Sequence, residues 1–365
     1  MITPTRELVN LFLEVSKIEG LSGKERATAD FIRSFLTKLG LSPIEDNSYL
    51  KSDGNTGNII CTFGANGDRV LLAHMDTALS TKGITHVFTN GKISSDGSTI
   101  LGADNRAGVS ILLNLAERIV ADSIPHRDFS IAFTIEEETS LNGSKQIQLH
   151  SGTKMGFVFD SAYRPGTFVN GSCGAVTFTI TIQGKAAHAG LHPEKGKSTI
   201  HTAGELITKI PTGKIDENTT CNIGIISGGD AVNVVPDHTT LKGEIRSYDL
   251  KNINALLDRL TDICTKVGRK HETPVRVNYR WDFMPYIIHE NEQVYLEITR
   301  AIREANLTPS AIKTCGGSDA NSLNEKGIKS VNIGIGAQNP HSTDEFILVE
   351  DLEKSANIAL NLVKK

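Results

Sequence analysis

The sequence predicts an α/β protein in two parts, a layered α/β domain interrupted by an inserted ferredoxin-like βαββαβ unit. Three observations predict it. The chain has 365 residues, more than one ordinary hydrophobic core organises, so two domains are the starting expectation. Short apolar runs alternate with helical patterns on both sides of a central segment, the mark of α/β layers. Inside that segment the order changes to strand, helix, two strands, helix, strand.

The elements follow in order. Leu8, Leu11, Phe12, Val15 and Ile18 fall at helical spacing, with Glu7, Glu14 and Glu19 among them. Residues 1–40 therefore read as two helices, broken at Gly20 and Gly23 and ending near Gly40. The pattern is amphipathic and unlike a secretory signal, which makes the cytoplasm the expected compartment. The runs 58–63, 69–74 and 129–135 read as strands; in the last, Phe129, Ile131, Phe133 and Ile135 alternate with smaller residues. Residues 108–121 read as a helix. After residue 171, Val176, Phe178, Ile180 and Ile182 alternate with threonines, as in a half-exposed strand. A helix (198–210), two strands (221–227 and 239–247), a helix (250–268) and a strand (275–280) complete the insert. A helix (292–305), a strand (331–334) and a C-terminal helix (349–362) resume the alternation. Residues 1–172 and 285–365 are thus expected to form the main domain, and 173–284 the insert.

Composition narrows the function classes. Hydrophobic residues make up 39% and charged residues 22%, a globular composition. The net charge of −4 supplies no basic field for nucleic acid, and no run approaches the roughly 18 apolar residues of a membrane span. The five cysteines, Cys61, Cys173, Cys221, Cys264 and Cys315, are scattered and odd in number. They read as small buried hydrophobes in a reducing compartment.

Five short motifs carry candidate chemistry. His74 and Asp76 stand at the exit of an apolar strand, two apart and so on one side of it. A histidine that binds metal usually has a carboxylate behind it that fixes the ring. Asp104 sits between Gly102 and Gly108, where a helix begins. Glu136, Glu137 and Glu138 follow a strand directly, and such a run is costly without a cation or water to screen it. Asp160 ends a fourth apolar run, and His341 lies in a polar loop before the last helix. Taken singly, these also read as a surface histidine, a helix cap and a solvated loop. Together they are more specific, because ligand sites of α/β sheets lie beyond the carboxyl ends of strands. Mixed histidine and carboxylate donors suit zinc or a similar divalent metal, and one carboxylate can bridge two ions. Residues 102–108 hold only two glycines at the wrong spacing for a dinucleotide fingerprint, which excludes a dehydrogenase reading.

In sequence order the motifs span residues 74–77, 102–108, 134–139, 157–162, 184–190, 228–237, 316–321 and 339–345. In that order they resemble the co-catalytic di-zinc metallopeptidases of the carboxypeptidase G2, aminoacylase and peptidase T superfamily, above all its peptidase T-like branch. The resemblance covers essentially the whole chain. It implies a three-layer zinc-peptidase catalytic domain with the insert as a lid and dimerisation domain. It implies two Zn2+ per chain, with Mn2+ or Co2+ as possible substitutes. His74 and Asp160 would hold one ion, Glu138 and His341 the other, and Asp104 would bridge them. Asp76 would orient His74. The family's glutamate pair has a glycine five residues after its second member, which Glu138 and Gly143 match. Glu137 is then the general base and Glu138 the ligand; Glu136 as base with Glu137 as ligand stays open.

A zinc-bound water, its pKa lowered from about 15.7 to about 7, would supply hydroxide, with Glu137 taking its proton. In the lid, His188 resembles a histidine that reaches the partner subunit's site in dimeric relatives. Asn233 and Arg246 resemble residues that hold the substrate's polar groups and carboxylate. Residues 316–319 resemble a loop lining the site. The implied activity is that of a tripeptidase-like aminopeptidase on short peptides. An N-acyl-amino-acid deacylase or carboxypeptidase on the same scaffold is the alternative, and a non-catalytic binding protein a remote one. The acidic run and the setting of His188 differ from peptidase T proper, which bears on substrate preference and leaves the metal chemistry alone. The partners implied are a short peptide or acyl-amino acid and a second copy of the chain.

Overall fold

The computed structural model describes residues 4–65 and 67–365; the first three positions of the 1–172 segment and Asn66 lie outside the described residues. The chain divides into two compact units. The first comprises Met1–Gly171, Ile287–Thr314 and Ser318–Lys365, the second Ser172–Tyr286 and Cys315–Gly317.

In the first unit, strands Ile59–Phe63, Phe129–Thr134, Arg69–His74, Met155–Ser161 and Lys329–Gly334 lie side by side in that order. Arg69–His74 pairs in parallel with both neighbours. Its register sets His74 beside Thr134 and Leu72 beside Val158. Two residues further along, His74 therefore comes level with Asp160. Every residue of Arg69–His74 and Phe129–Thr134 is buried. Neighbours on a strand point to opposite faces, so both faces of the sheet are covered. The alternation of large and small residues in 129–135 thus reflects packing on two dry faces, not one wet face.

Helix Ala103–Ala121 packs on this sheet, with Val109, Ile111, Leu112, Leu113, Leu115 and Ala116 all buried. Helices Pro4–Ser16 and Val349–Val363 pack against it in turn, which is why every residue from Asn105 to Ala116 is buried, whichever side it faces. It begins five residues earlier than the sequence predicts. Asp104 and Asn105 depart from helical angles inside its first turn, so no helical period reaches back to its start. Ile18 lies beyond the first helix, which ends at Ser16.

Several elements escape the sequence reading. His86–Thr89, Lys92–Ser95 and Phe346–Leu348 form a small antiparallel sheet. Thr167–Ser172 and Ser310–Thr314 are strands, and Asp319–Glu325 is a helix. All are short, and all but the three apolar residues 346–348 carry several polar positions, so neither period develops.

In the second unit, strands Thr219–Gly228, His238–Ser247, Gly174–Gln183 and Val275–Phe283 form one antiparallel sheet in that order. This is the ferredoxin-like strand order, with the first strand of the unit third across. Gly174–Gln183 alternates buried and half-exposed positions as expected. Val176, Phe178, Ile180, Leu241 and Ile245 meet Ala203, Leu206, Leu256 and Leu260 from helices Thr199–Lys209 and Leu250–His271 in its core. Side chains of Ser198 and Asp249 cap the two helices.

Cys315–Gly317 also belongs to this unit, whereas the order of elements in the sequence predicts all of 285–365 in the main domain. Cys173 Sγ donates to the Cys315 carbonyl at 3.2 Å, Ser172 Oγ to that of Gly316 at 2.8 Å, and Gly317 backs onto the Phe283 ring. Cys61, Cys173, Cys221 and Cys264 are buried as expected, whereas Cys315 is exposed. Among the described residues, no helix is long and apolar enough to cross a membrane.

Candidate metal centre

Five of the predicted residues converge at the strand exits. His74 Nε2 lies 3.1 Å from Asp104 Oδ1 and 3.1 Å from Asp160 Oδ1. His341 Nε2 lies 2.9 Å from Glu138 Oε1 and 3.3 Å from Asp104 Oδ2. Asp104 thus gives one oxygen to each imidazole. Two groups result, His74–Asp104–Asp160 and Asp104–Glu138–His341, whose donor atoms all lie within 4.8 Å of one another in each group.

Asp76 ties the two halves together. Its Oδ1 meets His74 Nδ1 at 3.1 Å and accepts the Glu137 amide at 3.1 Å. Oδ2 accepts the Glu138 amide at 3.1 Å and the Ser22 hydroxyl at 2.7 Å. One fully buried carboxylate therefore fixes both the histidine ring and the turn that carries Glu137 and Glu138. The third glutamate points elsewhere. Glu136 has a left-handed backbone, and its carboxylate accepts from Ser52 Oγ at 2.7 Å and Asn142 Nδ2 at 2.5 Å.

The electrostatics favour a cation here. Burial pushes Glu137 well above the ordinary carboxylate range, with Asp160, Asp319 and Glu138 adding to it. Burial also raises Glu138 and Asp160. Burial opposes charge on His74, but Asp160, Asp104 and Asp76 outweigh it and raise its pKa. Asp104 and Glu138 push His341 up to about 10. The carboxylates thus compete for the positive charge of two imidazoles. A mixed oxygen and nitrogen donor set of this kind fits a pair of divalent metal ions.

Two family models match the chain: M42 glutamyl aminopeptidase over residues 80–170, and a peptidase dimerisation domain over residues 170–272. A peptidase T of Clostridium perfringens is 27% identical over 74% of this chain and 68% of its own length. The solved structure of aminopeptidase PepT from Bacillus cereus is 31% identical and covers 98% of this chain and 97% of its own, with a TM-score of 0.91. That of a tripeptidase from Staphylococcus aureus is 31% identical and covers 99% and 98%, with a TM-score of 0.92. The chain belongs to the peptidase T-like metallopeptidases of the M20 family. It is a metal-dependent hydrolase of peptide bonds.

The predicted lid residues of this metallopeptidase lie in its second unit. His188 and Asn233 are exposed neighbours on a two-stranded ribbon, where the Ala189 amide donates to the Asn233 carbonyl at 2.9 Å. His188 Nδ1 accepts the amides of Gly190 and Leu191 at 3.1 and 3.2 Å. Arg246 is half-buried; it donates to the Cys315 carbonyl at 2.6 Å and holds both oxygens of Glu244 at 3.2 and 3.0 Å.

Four residues that support the centre carry no role in the sequence reading. Glu345 accepts the Gly102 and Asp104 amides, and burial raises it to about 7. Glu25 accepts the Gly23 and Glu136 amides and is likewise raised by burial to about 7. Arg106, fully buried, donates to the carbonyls of Met75 and Ile18. Asp319, the first residue of its helix, accepts from Thr134 Oγ1, and burial raises it to about 6. Arg106, Asp319 and Glu345 fall inside the 102–108, 316–321 and 339–345 motifs and Glu25 inside none. Arg106, Glu345 and Glu25 act on backbone groups, which no spacing rule marks.

Proposed function

We propose that the protein is a di-zinc aminopeptidase acting on short peptides, tripeptides among them. The observation that carries this reading is the division of Asp104, Oδ1 toward His74 and Oδ2 toward His341. In this reading His74 and Asp160 would hold one ion and Glu138 and His341 the other, with Asp104, which gives one carboxylate oxygen to each group, shared between them. When bound, the two ions would polarise the scissile carbonyl and acidify the attacking water. Asp76 keeps His74 in one tautomer by accepting from Nδ1. Glu137, its amide fixed by Asp76, takes the water's proton on its carboxylate and delivers it to the leaving amine. His188, Asn233 and Arg246 bind the substrate's polar groups and carboxylate. The preference for a free amino terminus is supported by the likeness to aminopeptidase PepT and to the tripeptidase.

A homodimer built through the second unit belongs to the same reading. It is supported by the matching dimerisation-domain model and by Ile225 and Ile226, both 56% exposed on strand Thr219–Gly228. A cytoplasmic setting is supported by four buried free thiols.

The test combines metal content with activity. Purified protein is subjected to elemental analysis, then assayed on free tripeptides, N-acetylated peptides and N-acyl amino acids, before and after chelation. About two zinc ions per chain, with chelator-sensitive cleavage of free peptides only, is the expected result. Cleavage restricted to acylated compounds would replace the aminopeptidase by a deacylase. No metal and no turnover would remove the reading altogether, and sedimentation of the same sample as a monomer would remove the dimer.

A further inference from the structure

Glu345 is fully buried, and both its oxygens are used. Oε2 accepts the Gly102 amide at 2.6 Å and Oε1 the Asp104 amide at 2.9 Å. Neither bond closes a helix or a strand. Both hold the irregular segment that delivers Asp104, in which Gly102 has a left-handed φ of 71°. A buried carboxylate beside Asp104 is costly, and charge-assisted bonds from two amides offset that cost.

The position of Glu345 in the chain gives the contact its meaning. It closes the loop that carries His341, a residue itself held at a left-handed φ of 62°. The loop is pinned at its base by two hydrogen bonds between the Gln338 and Phe346 backbones, at 2.9 and 3.0 Å. Phe346–Leu348 then pairs with Lys92–Ser95. The far side of the Asp104 segment is tied differently. Asn105 Nδ2 donates to the Phe159 carbonyl at 2.8 Å, next to Asp160, and its Oδ1 accepts the Gly108 amide at 3.0 Å. The Asp104 segment is thus joined to the Asp160 strand by Asn105 and to the His341 loop by Glu345.

We propose that Glu345 is a positioning residue, one that locks the His341 loop to the backbone of Asp104 and so sets the geometry of the Asp104–Glu138–His341 group. The proposal rests on the dinuclear reading above. Glu345 touches neither substrate nor the reacting atoms; it acts through Asp104 and His341. Glu345→Gln keeps the size and one acceptor oxygen but turns an NH2 group toward one of the two amides. The His74–Asp104–Asp160 group keeps its own supports, Asp76 and Asn105.

The experiment measures metal stoichiometry and affinity of the parent protein and of Glu345→Gln by equilibrium dialysis with zinc. The absorption of the cobalt-loaded forms and thermal melting are followed in parallel. We expect one ion held as in the parent and the other weakened about 10–100-fold, with the cobalt spectrum of one site altered. Glu345→Asp, which restores two acceptors at shorter reach, should recover part of the lost affinity. A folded Glu345→Gln protein that holds both ions with parental affinity and spectrum overturns the proposal and leaves the dinuclear reading standing. Equal loss of both ions, in step with a lowered melting temperature and without recovery in Glu345→Asp, also overturns it by making Glu345 a general stabiliser. A parent protein that holds fewer than two ions fails the dinuclear reading itself, and the proposal with it.

Discussion

Asp76 accepts hydrogen bonds from two backbone amides and one hydroxyl and faces the ring of His74. Its hold on the Glu137 and Glu138 amides separates the roles of the three consecutive glutamates. Glu138 meets His341, the Glu136 carboxylate is occupied by Ser52 and Asn142, and Glu137 is left as the candidate base. Replacing Glu137 with Ala should lower kcat by at least about 10²–10⁴-fold while two ions remain bound, as read by elemental analysis. Loss of one ion instead would make Glu137 a ligand and shift the register by one residue. Strand exits are legible in sequence, since an apolar run that stops at a histidine or carboxylate marks a place where side chains meet. His74, Asp76, Glu138 and Asp160 could be nominated for that reason, whereas Asp104 at a helix start and His341 in a polar loop gained meaning only from the set of motifs together. Glu25, Glu345 and Arg106 could not, because a side chain that binds backbone groups can stand at any spacing.

Helix Ala103–Ala121 and helix Thr199–Lys209 each contain a glycine, for opposite reasons. A Cβ on Gly108 would lie 2.2 Å from the Phe159 carbonyl oxygen and 2.3 Å from Asn105 Oδ1. The helix approaches the strand bearing Asp160 so closely that only glycine fits. A Cβ on Gly204 would meet nothing within 4 Å. Alanine in place of glycine should stabilise an open helical site by about 0.5–1 kcal/mol. Gly204→Ala should show this gain in denaturant unfolding. Gly108→Ala should instead lose about 1–3 kcal/mol through overpacking and weaken metal binding, because the strain falls between Asp104 and Asp160. A Gly108→Ala protein as stable as the parent would refute the close-approach argument. At this scale the sequence marks strands and helices whose periods run for several residues. It does not mark where Ala103–Ala121 begins, since Asp104 and Asn105 leave helical geometry at the point where the chain delivers a candidate ligand.

The five candidate ligands all lie in the first compact unit, and the second has a core of its own. The order of elements made the insert legible in the sequence, because no extension of the α/β alternation produces strand, helix, two strands, helix, strand. The exchange of Cys315–Gly317 into the second unit was not legible, since it depends on contacts with Cys173, Ser172 and Phe283, far away in sequence. This division predicts a thermal response to chelation. Ions bound by the folded first unit stabilise it by mass action, about 4 kcal/mol for one site at a thousand times its dissociation constant. Their removal leaves Asp104, Asp160 and Glu138 facing one another with, among the described residues, His74 and His341 as the positive partners in ion-pair contact, and like charges at close range repel. For a unit of this size about 1 kcal/mol corresponds to a shift of about 2–4 °C, so chelation should lower its calorimetric transition by about 10 °C. The transition of the second unit should stay in place. One transition moving as a whole would mean that the two units unfold together. No movement at all would mean that the carboxylate cluster tolerates its own charge, which would sink the argument that the cluster is built around cations.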